Sequence, residues 1–145
     1  PSWGDVGFGL IMFLIALPDR WAKAPLFLLL CLLSGIIFIA FSVIAGSLAF
    51  WIGQSQNLAL QLRNMLLTFG LYPVDIFPGL VRLMLYTLIP AAFVGSVPAG
   101  LLTEFNMGSL AATTAVTSAL TALAWLIFRR GLRRYESGNR MTART

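Results

Sequence analysis

The sequence predicts an all-α integral membrane protein, and three observations support this fold class. Of its 145 residues, 59% are hydrophobic and only 10% are charged, whereas about 25% of the residues in a soluble globular domain are charged. The apolar residues form runs long enough to cross a bilayer, which takes roughly 20 residues. Arginines follow directly after the last run, as expected where a membrane helix ends at the cytoplasmic surface.

Four apolar segments are predicted to cross the membrane, at about residues 6–18, 26–51, 57–72 and 107–128. The first is short for a span, but Trp3 and Trp21 bracket it as interface aromatics do. A short loop at residues 20–25 is predicted to separate it from the second. The last span is rich in threonine and serine, whose hydroxyls are expected to bond either to their own helix backbone or across a helix interface.

One face of the third predicted span is polar. Asn57, Gln61, Asn64 and Thr68 recur at the spacing that places residues on one side of a helix. Because amides are costly in lipid, this polar face is expected to look at protein or at a water-filled cavity. Two interpretations remain open: the face lines a transport path, or it forms hydrogen bonds between helices.

The stretch between the third and last spans is broken by prolines. Pro90 lies in the middle of an apolar segment, where a proline removes a backbone hydrogen bond and disrupts a helix. Residues 79–103 are therefore predicted to form a broken, re-entrant helical hairpin that enters and leaves the membrane on one side; the alternative is a fifth full crossing. The residues assigned to this re-entrant turn are Pro73, Asp75, Pro78, Gly79, Arg82 and Pro90.

Asp75 is the most informative of the five carboxylates in the chain. One interpretation makes it a turn residue at an interface, for which Asp is well suited. The other pairs it with Arg82, so that the two side chains hold the broken segment in place.

Residues 129–145 are predicted to form a basic cytoplasmic tail. The arginines expected to anchor it at anionic lipid head groups are Arg129, Arg130, Arg133 and Arg134. With four spans and a re-entrant segment the first residue also faces the cytoplasm, whereas five spans would place it outside. Because the chain begins at Pro1, we expect it to be a fragment that lacks an N-terminal part.

Several function classes are disfavoured by residues that the sequence lacks. It has no histidine and one cysteine, Cys31, so the commonest metal ligand and any disulfide framework are missing. The carboxylates are dispersed and none lies in the middle of a span. No nucleotide-binding loop or serine-hydrolase motif is present. We therefore expect no catalytic residue, no metal site and no bound cofactor in this chain, and the net charge of +5 does not indicate a nucleic-acid partner.

Four separated motifs, following Ala49-Phe50-Trp51, resemble the membrane subunit of an ABC-2 type exporter. They occur in the order Tyr72-Pro73-Val74-Asp75-Ile76-Phe77-Pro78-Gly79, Ile89-Pro90-Ala91-Ala92-Phe93-Val94, Pro98-Ala99 and Phe128-Arg129-Arg130-Gly131-Leu132-Arg133-Arg134-Tyr135-Glu136-Ser137-Gly138-Asn139. The resemblance covers about residues 50–139, and the order of the motifs makes it specific.

The resemblance implies a permease with six spans and both termini in the cytoplasm, of which this chain would hold the third to sixth. It implies a homo- or heterodimer of permease subunits in the bacterial plasma (inner) membrane. A separate ABC ATP-binding subunit would bind ATP and Mg and drive export of a small hydrophobic or amphiphilic compound. The alternative function is a non-transporting membrane assembly or anchor subunit.

Overall fold

The computed structural model describes residues 3–16, 20–48 and 56–142, and within these ranges the chain is helical without a strand. The helices are α1 (Trp3–Ala16), α2 (Arg20–Ser47), α3 (Gln56–Gly70), α4 (Gly79–Thr87), α5 (Ser96–Thr103) and α6 (Met107–Thr142), with 3-10 turns at Val74–Ile76 and Ala91–Phe93. The predicted all-α class is confirmed for these residues.

Two of these helices are long and apolar enough to cross a membrane. They are Trp21–Ser47 in α2 and Met107–Arg133 in α6, and the bent pair of helices between residues 79 and 103 would add a third if it is one span. By contrast, α1 and α3 have 14 and 15 residues, or roughly 21–23 Å of helix, against a hydrocarbon core of about 30 Å. The prediction of four spans is therefore not confirmed. The prediction that the chain contains helices long and apolar enough to cross a membrane is confirmed.

The predicted helix boundaries change at two places, the start of α2 and the end of α6. The loop predicted at residues 20–25 is wrong, because α2 begins at Arg20 and contains Pro25. Pro25 has no N–H to donate to the carbonyl of Trp21, so α2 lacks one backbone hydrogen bond there, yet the helix continues through this residue. The predicted ends of the first two spans, at residues 17–18 and 49–51, lie outside the described residues. α6 continues through the basic cluster to Thr142, and residues 143–145 are outside the description.

α2 is the central helix. Its contact with α6 is the most extensive of any pair of helices described, and it also packs against α3 and α5. α6 turns Thr113, Thr117 and Ala124 inward, and small residues at such an interface allow helices to approach closely. The threonine hydroxyls bond to carbonyls of their own helix, as in Thr117 Oγ1 to Thr113 O at 2.7 Å, so the local alternative is the one observed.

One apolar cluster joins α2 and α3 to the broken segment. It consists of Phe41, Leu66, Val74, Leu85, Ala91 and Ala92, all buried. Four of these six side chains come from residues after Pro73: Val74 lies in the turn directly after it, Leu85 lies in α4, and Ala91 and Ala92 lie in the turn after Pro90. The residues after α3 are therefore part of the core of the chain rather than a loop on its surface, and they position the candidate site.

Candidate functional site

The break in the backbone at Pro90 is the centre of the candidate site. α4 ends at Thr87, and the N–H groups of Leu88 and Ile89 both donate to the carbonyl of Met84, at 2.9 and 3.0 Å. Since Pro90 has no N–H, the chain then passes through the 3-10 turn Ala91–Phe93 before α5 begins. The two helical stretches on either side are bent by 68°. The predicted break near Pro90 is confirmed.

The break is packed by protein on both sides. Pro90, Ala91 and Ala92 are buried, and the ring of Phe93 meets that of Tyr86 edge to face, with 5.6 Å between centroids. Backbone that departs from a regular helix is tolerated at membrane depth only where protein or a water-filled cavity surrounds it. The packing around Pro90 meets this requirement.

The turn after Pro73 is fastened to the start of α5. The N–H of Val74, which is 1% exposed, donates to Ser96 Oγ at 3.3 Å. Phe77, at the end of the same turn, places its ring edge to face against Phe69 of α3, 5.6 Å between centroids. The turn therefore joins the end of α3 to the second half of the broken segment.

Two glycines allow the end of α3 to touch the start of α5. A Cβ atom on Gly95 would overlap the backbone carbonyl of Gly70, and a Cβ on Gly70 would lie 3.6 Å from the Val94 side chain. No side chain fits between the two backbones at Gly95. The sequence did not single out either glycine, because glycines are common in membrane helices and carry no periodic signal.

Lys23 ties the start of α2 to the end of the broken segment. Its Nζ donates to the carbonyl of Leu102 at 2.7 Å, and Leu102 is in the last turn of α5. A cation is favourable at the C-terminal end of a helix, where the unpaired carbonyls carry partial negative charge. α6 begins at Met107, soon after this contact, and packs along α2, so the two long helices start at the same end and run parallel.

The prolines and glycine of the predicted turn have the backbone that it requires. Pro73 and Pro78 are extended, with ψ of 131° and 147°, and Gly79 begins α4 with φ of +42°, a conformation that other residues adopt only with strain. Asp75 Oδ1 and an Arg82 guanidinium nitrogen lie 2.9 Å apart, but the two side chains are 78% and 50% exposed. The ion pair is therefore present, and its role in holding the segment stays a prediction.

A cavity of about 470 Å³ lies between the turn after α3 and α5. Its walls include Gly70, Tyr72 and Pro73 on one side and Ser96, Ala99 and Thr103 on the other. The Thr103 hydroxyl already donates to Gly100 O at 2.8 Å and Ser96 accepts from Val74. The cavity therefore combines apolar walls with a few hydroxyl groups, as sites for amphiphilic ligands do.

The polar face of α3 is directed away from the packed site. Asn57, Gln61, Asn64 and Thr68 are all exposed, and none of the four side chains makes a hydrogen bond within the part of the chain that the structure describes. The opposite side of α3 carries Leu62, Leu66 and Phe69 into the apolar cluster. The single chain thus does not bring the polar face together with the turn, and both interpretations of this face remain predictions.

The basic residues of the predicted tail lie on the C-terminal part of α6. Arg129, Arg130 and Arg133 are exposed, while the side chain of Arg134 is outside the described part of the chain. The guanidinium of Arg129 sits over the Trp125 ring, 4.8 Å from its centroid, a favourable cation–π geometry. In the described residues, no group of three or more His, Cys, Asp or Glu side chains is placed to hold a metal ion.

Comparison with known families identifies the family to which the chain belongs. The family model described as "ABC-2 family transporter protein" matches residues 5–139, a range that includes the broken segment, both long helices and the basic cluster. The comparison with curated proteins found no match, and neither did the comparison with solved structures. The chain belongs to the ABC-2 family of transporter proteins and is a permease component of a membrane transporter.

Proposed function

We propose that this permease is the membrane-spanning subunit of an ATP-driven exporter that moves a hydrophobic or amphiphilic compound across the bacterial inner membrane. The observation that carries the proposal is the broken segment around Pro90, packed against α2 and α3 and bordered by a largely apolar cavity. Discontinuous helices in membrane transporters form substrate sites and gates because their backbone lines a cavity.

Energy for transport comes, in this proposal, from another chain. Permeases of the ABC-2 family normally work with an ATP-binding subunit, and in this proposal that separate subunit binds ATP and Mg. A second permease subunit, identical or related, completes the path. The exposed polar face of α3 and the many exposed apolar side chains of α1, such as Trp3 and Ile15, give such subunits and the lipid bilayer surfaces to contact.

The parallel arrangement of α2 and α6 supports the proposed topology. If both helices cross the membrane in the same direction, the chain between Ser47 and Met107 must make an odd number of crossings. One crossing satisfies this requirement if α3 crosses and residues 79–103 are re-entrant. It is equally satisfied if residues 79–103 cross and α3 does not.

The contact between Gly70 and Gly95 favours the re-entrant arrangement. The end of α3 touches the start of α5. Residues 71–94 therefore begin and end at the same depth in the membrane and make no net crossing of it. α5 then continues to the end marked by Lys23. In this arrangement α3 crosses most of the membrane, α5 completes the crossing, and the re-entrant part of residues 79–103 ends near Gly95. α3 and α5 contain 15 and 8 residues, which together provide about 34 Å of helix, enough for a hydrocarbon core of about 30 Å.

The arginines at the end of α6 support the proposed orientation. Arginine-rich ends of membrane helices favour the cytoplasmic side, so in this proposal Arg129 and the C-terminus lie there and the Lys23–Leu102 contact lies at the outer surface. The proposed topology then has four crossings, with α1 as the first and the hairpin before the last, and the broken segment closes the outer end of the path.

Reconstitution with the ATP-binding subunit tests the function. The full-length permease and its ATP-binding partner are placed in proteoliposomes, and the ATP-dependent movement of a fluorescent hydrophobic dye is measured. We expect transport with the intact complex and none when the nucleotide site of the partner is inactivated. A complex that assembles but moves no dye from a chemically varied set, and whose ATPase rate is the same without the permease, would favour the assembly or anchor subunit instead.

A further inference from the structure

A groove with no assigned role runs between α2 and α6. It encloses about 720 Å³ and is open to the outside of the chain, within the range of pockets that hold small ligands. Leu33 and Ile36 of α2 form one wall, and Thr117, Ser118, Thr121 and Trp125 of α6 belong to the other. Since both helices are candidate spans, the open side of this groove faces the bilayer or another chain.

The hydroxyl groups in the groove do not need a polar ligand. Ser118 Oγ donates to Thr114 O at 2.9 Å, and Thr121 Oγ1 donates to Thr117 O at 2.8 Å. With these donors satisfied inside the helix, the groove presents mainly methyl, aliphatic and aromatic surface. An occupant therefore gains by burying hydrocarbon rather than by hydrogen bonding.

One end of the groove leads to positive charge. Ser118, Ala122, Trp125, Arg129 and Arg133 follow each other at helical spacings of three or four residues and so share one side of α6. Arg129 extends this row past Trp125, over whose ring its guanidinium lies. Arg130 is the neighbour of Arg129 in sequence but is rotated about 100° away from it around the helix.

The distance from the groove to Arg129 matches one leaflet of a membrane. From Ser118 to Arg129 the helix advances about 16 Å, close to half of a hydrocarbon core of about 30 Å. An acyl chain lying along Leu33 and Ser118 would therefore place its phosphate at the level of Arg129. Basic pockets between membrane helices at this level bind anionic head groups.

We propose that this groove binds one acyl chain of an anionic phospholipid, whose phosphate contacts Arg129 and Arg133. The charge favours a lipid over a second copy of the chain. Two copies that met groove to groove around an axis normal to the membrane would bring their Arg129 and Arg133 side chains together, and like charges at close range repel. An anionic lipid complements the same charges.

Photolabelling of the full-length permease in nanodiscs tests this site. The probes are phosphatidylglycerol and phosphatidylcholine, each with a diazirine in one acyl chain, and the labelled positions are mapped by mass spectrometry. We expect labelling at the groove walls around Leu33 and Ser118, with phosphatidylglycerol preferred. Arg129→Gln should reduce that preference about fivefold, the effect of ~1 kcal/mol per basic residue, whereas Arg130→Gln should reduce it less.

A second pair of variants separates the groove from the head-group contact. Ala122→Phe fills the groove and should abolish labelling by both lipids, while Ala119→Phe, at an exposed position outside the groove, should leave it unchanged. Equal labelling by the two lipids in the unaltered protein would overturn the proposal. So would efficient disulfide formation between two copies carrying Ser118→Cys in a Cys31→Ser background, because a second chain would then occupy the groove.

Discussion

The Nζ of Lys23 donates a hydrogen bond to the carbonyl of Leu102 at 2.7 Å, across 79 residues of sequence. This contact fastens the last turn of α5 to the start of the central helix. It also fixes the relative direction of α2 and α6, on which the proposed topology depends.

Replacing Lys23 should loosen the broken segment. Lys23→Met keeps much of the side-chain length but removes the charged donor, and hydrogen bonds to charged groups contribute about 1.5–3 kcal/mol. We expect a lower thermal unfolding temperature for the purified permease and a raised passive leak of small dyes through proteoliposomes. Lys23→Arg, which keeps a donor and the charge, is the control. An unchanged unfolding temperature and an unchanged dye leak in Lys23→Met would show that the contact does not stabilise the broken segment.

The contact between Gly70 and Gly95 should not tolerate a side chain. Gly95→Ala places a Cβ onto the Gly70 carbonyl, so the backbone must move. The free energy of unfolding should fall by about 1–3 kcal/mol or more. We expect a marked loss of monodisperse protein by size-exclusion chromatography in detergent.

Gly100→Ala is the matched control for this prediction. Gly100 is in α5, the helix that Gly95 directly precedes, and a Cβ there meets nothing within 4 Å, so the variant should be neutral or stabilised by up to ~1 kcal/mol. If Gly95→Ala behaved like Gly100→Ala, the close approach of α3 and α5 would be wrong.

Contacts made by the tertiary fold, such as these two, could not be predicted from the sequence. The break at Pro90 was predictable because the chemistry of proline is local: the residue lacks an N–H in any setting. The partner of Lys23 was not, because its carbonyl is brought near only by the tertiary fold. The sequence predicts a loop around Lys23, whereas α2 continues through Pro25 and so carries Lys23 on a helix.

The polar face of α3 illustrates a different limit. Its helical spacing correctly placed Asn57, Gln61, Asn64 and Thr68 on one side of a helix, but the expectation that this side looks at protein cannot be met within one chain, where it is exposed. The sequence encodes a surface for water, substrate or another subunit, and periodicity alone does not distinguish among them.

Removing two amides from this face should affect transport more than folding. Gln61→Leu combined with Asn64→Leu alters only exposed side chains, so we expect an unchanged unfolding temperature and a transport rate lowered about fivefold, which corresponds to ~1 kcal/mol. Leu66→Ala, at a fully buried position of the same helix, should instead destabilise the fold by about 2–5 kcal/mol. Lost expression with normal transport per molecule in the double variant would indicate helix packing.

The Asp75–Arg82 ion pair should contribute little energy. Both side chains are at least half exposed, and such pairs contribute about 0–1 kcal/mol because water and salt screen them. A double-mutant cycle with Asp75→Asn and Arg82→Gln should give a coupling energy in this range that falls as salt is added. A larger coupling that salt does not change would assign the pair a fastening role in the hairpin.

Labelling from outside the cell tests the re-entrant hairpin most directly. It shows whether the turn that contains Ile76 and the loop after α5 lie on the same side of the membrane. In a Cys31→Ser background, Ile76→Cys, Glu104→Cys and Leu132→Cys each place one thiol at an exposed position. A membrane-impermeant maleimide is then added to intact cells. We predict that Ile76→Cys and Glu104→Cys are both labelled and that Leu132→Cys is labelled only after permeabilisation. Labelling of Glu104→Cys in intact cells, with Ile76→Cys protected until permeabilisation, would show a full crossing and contradict the hairpin.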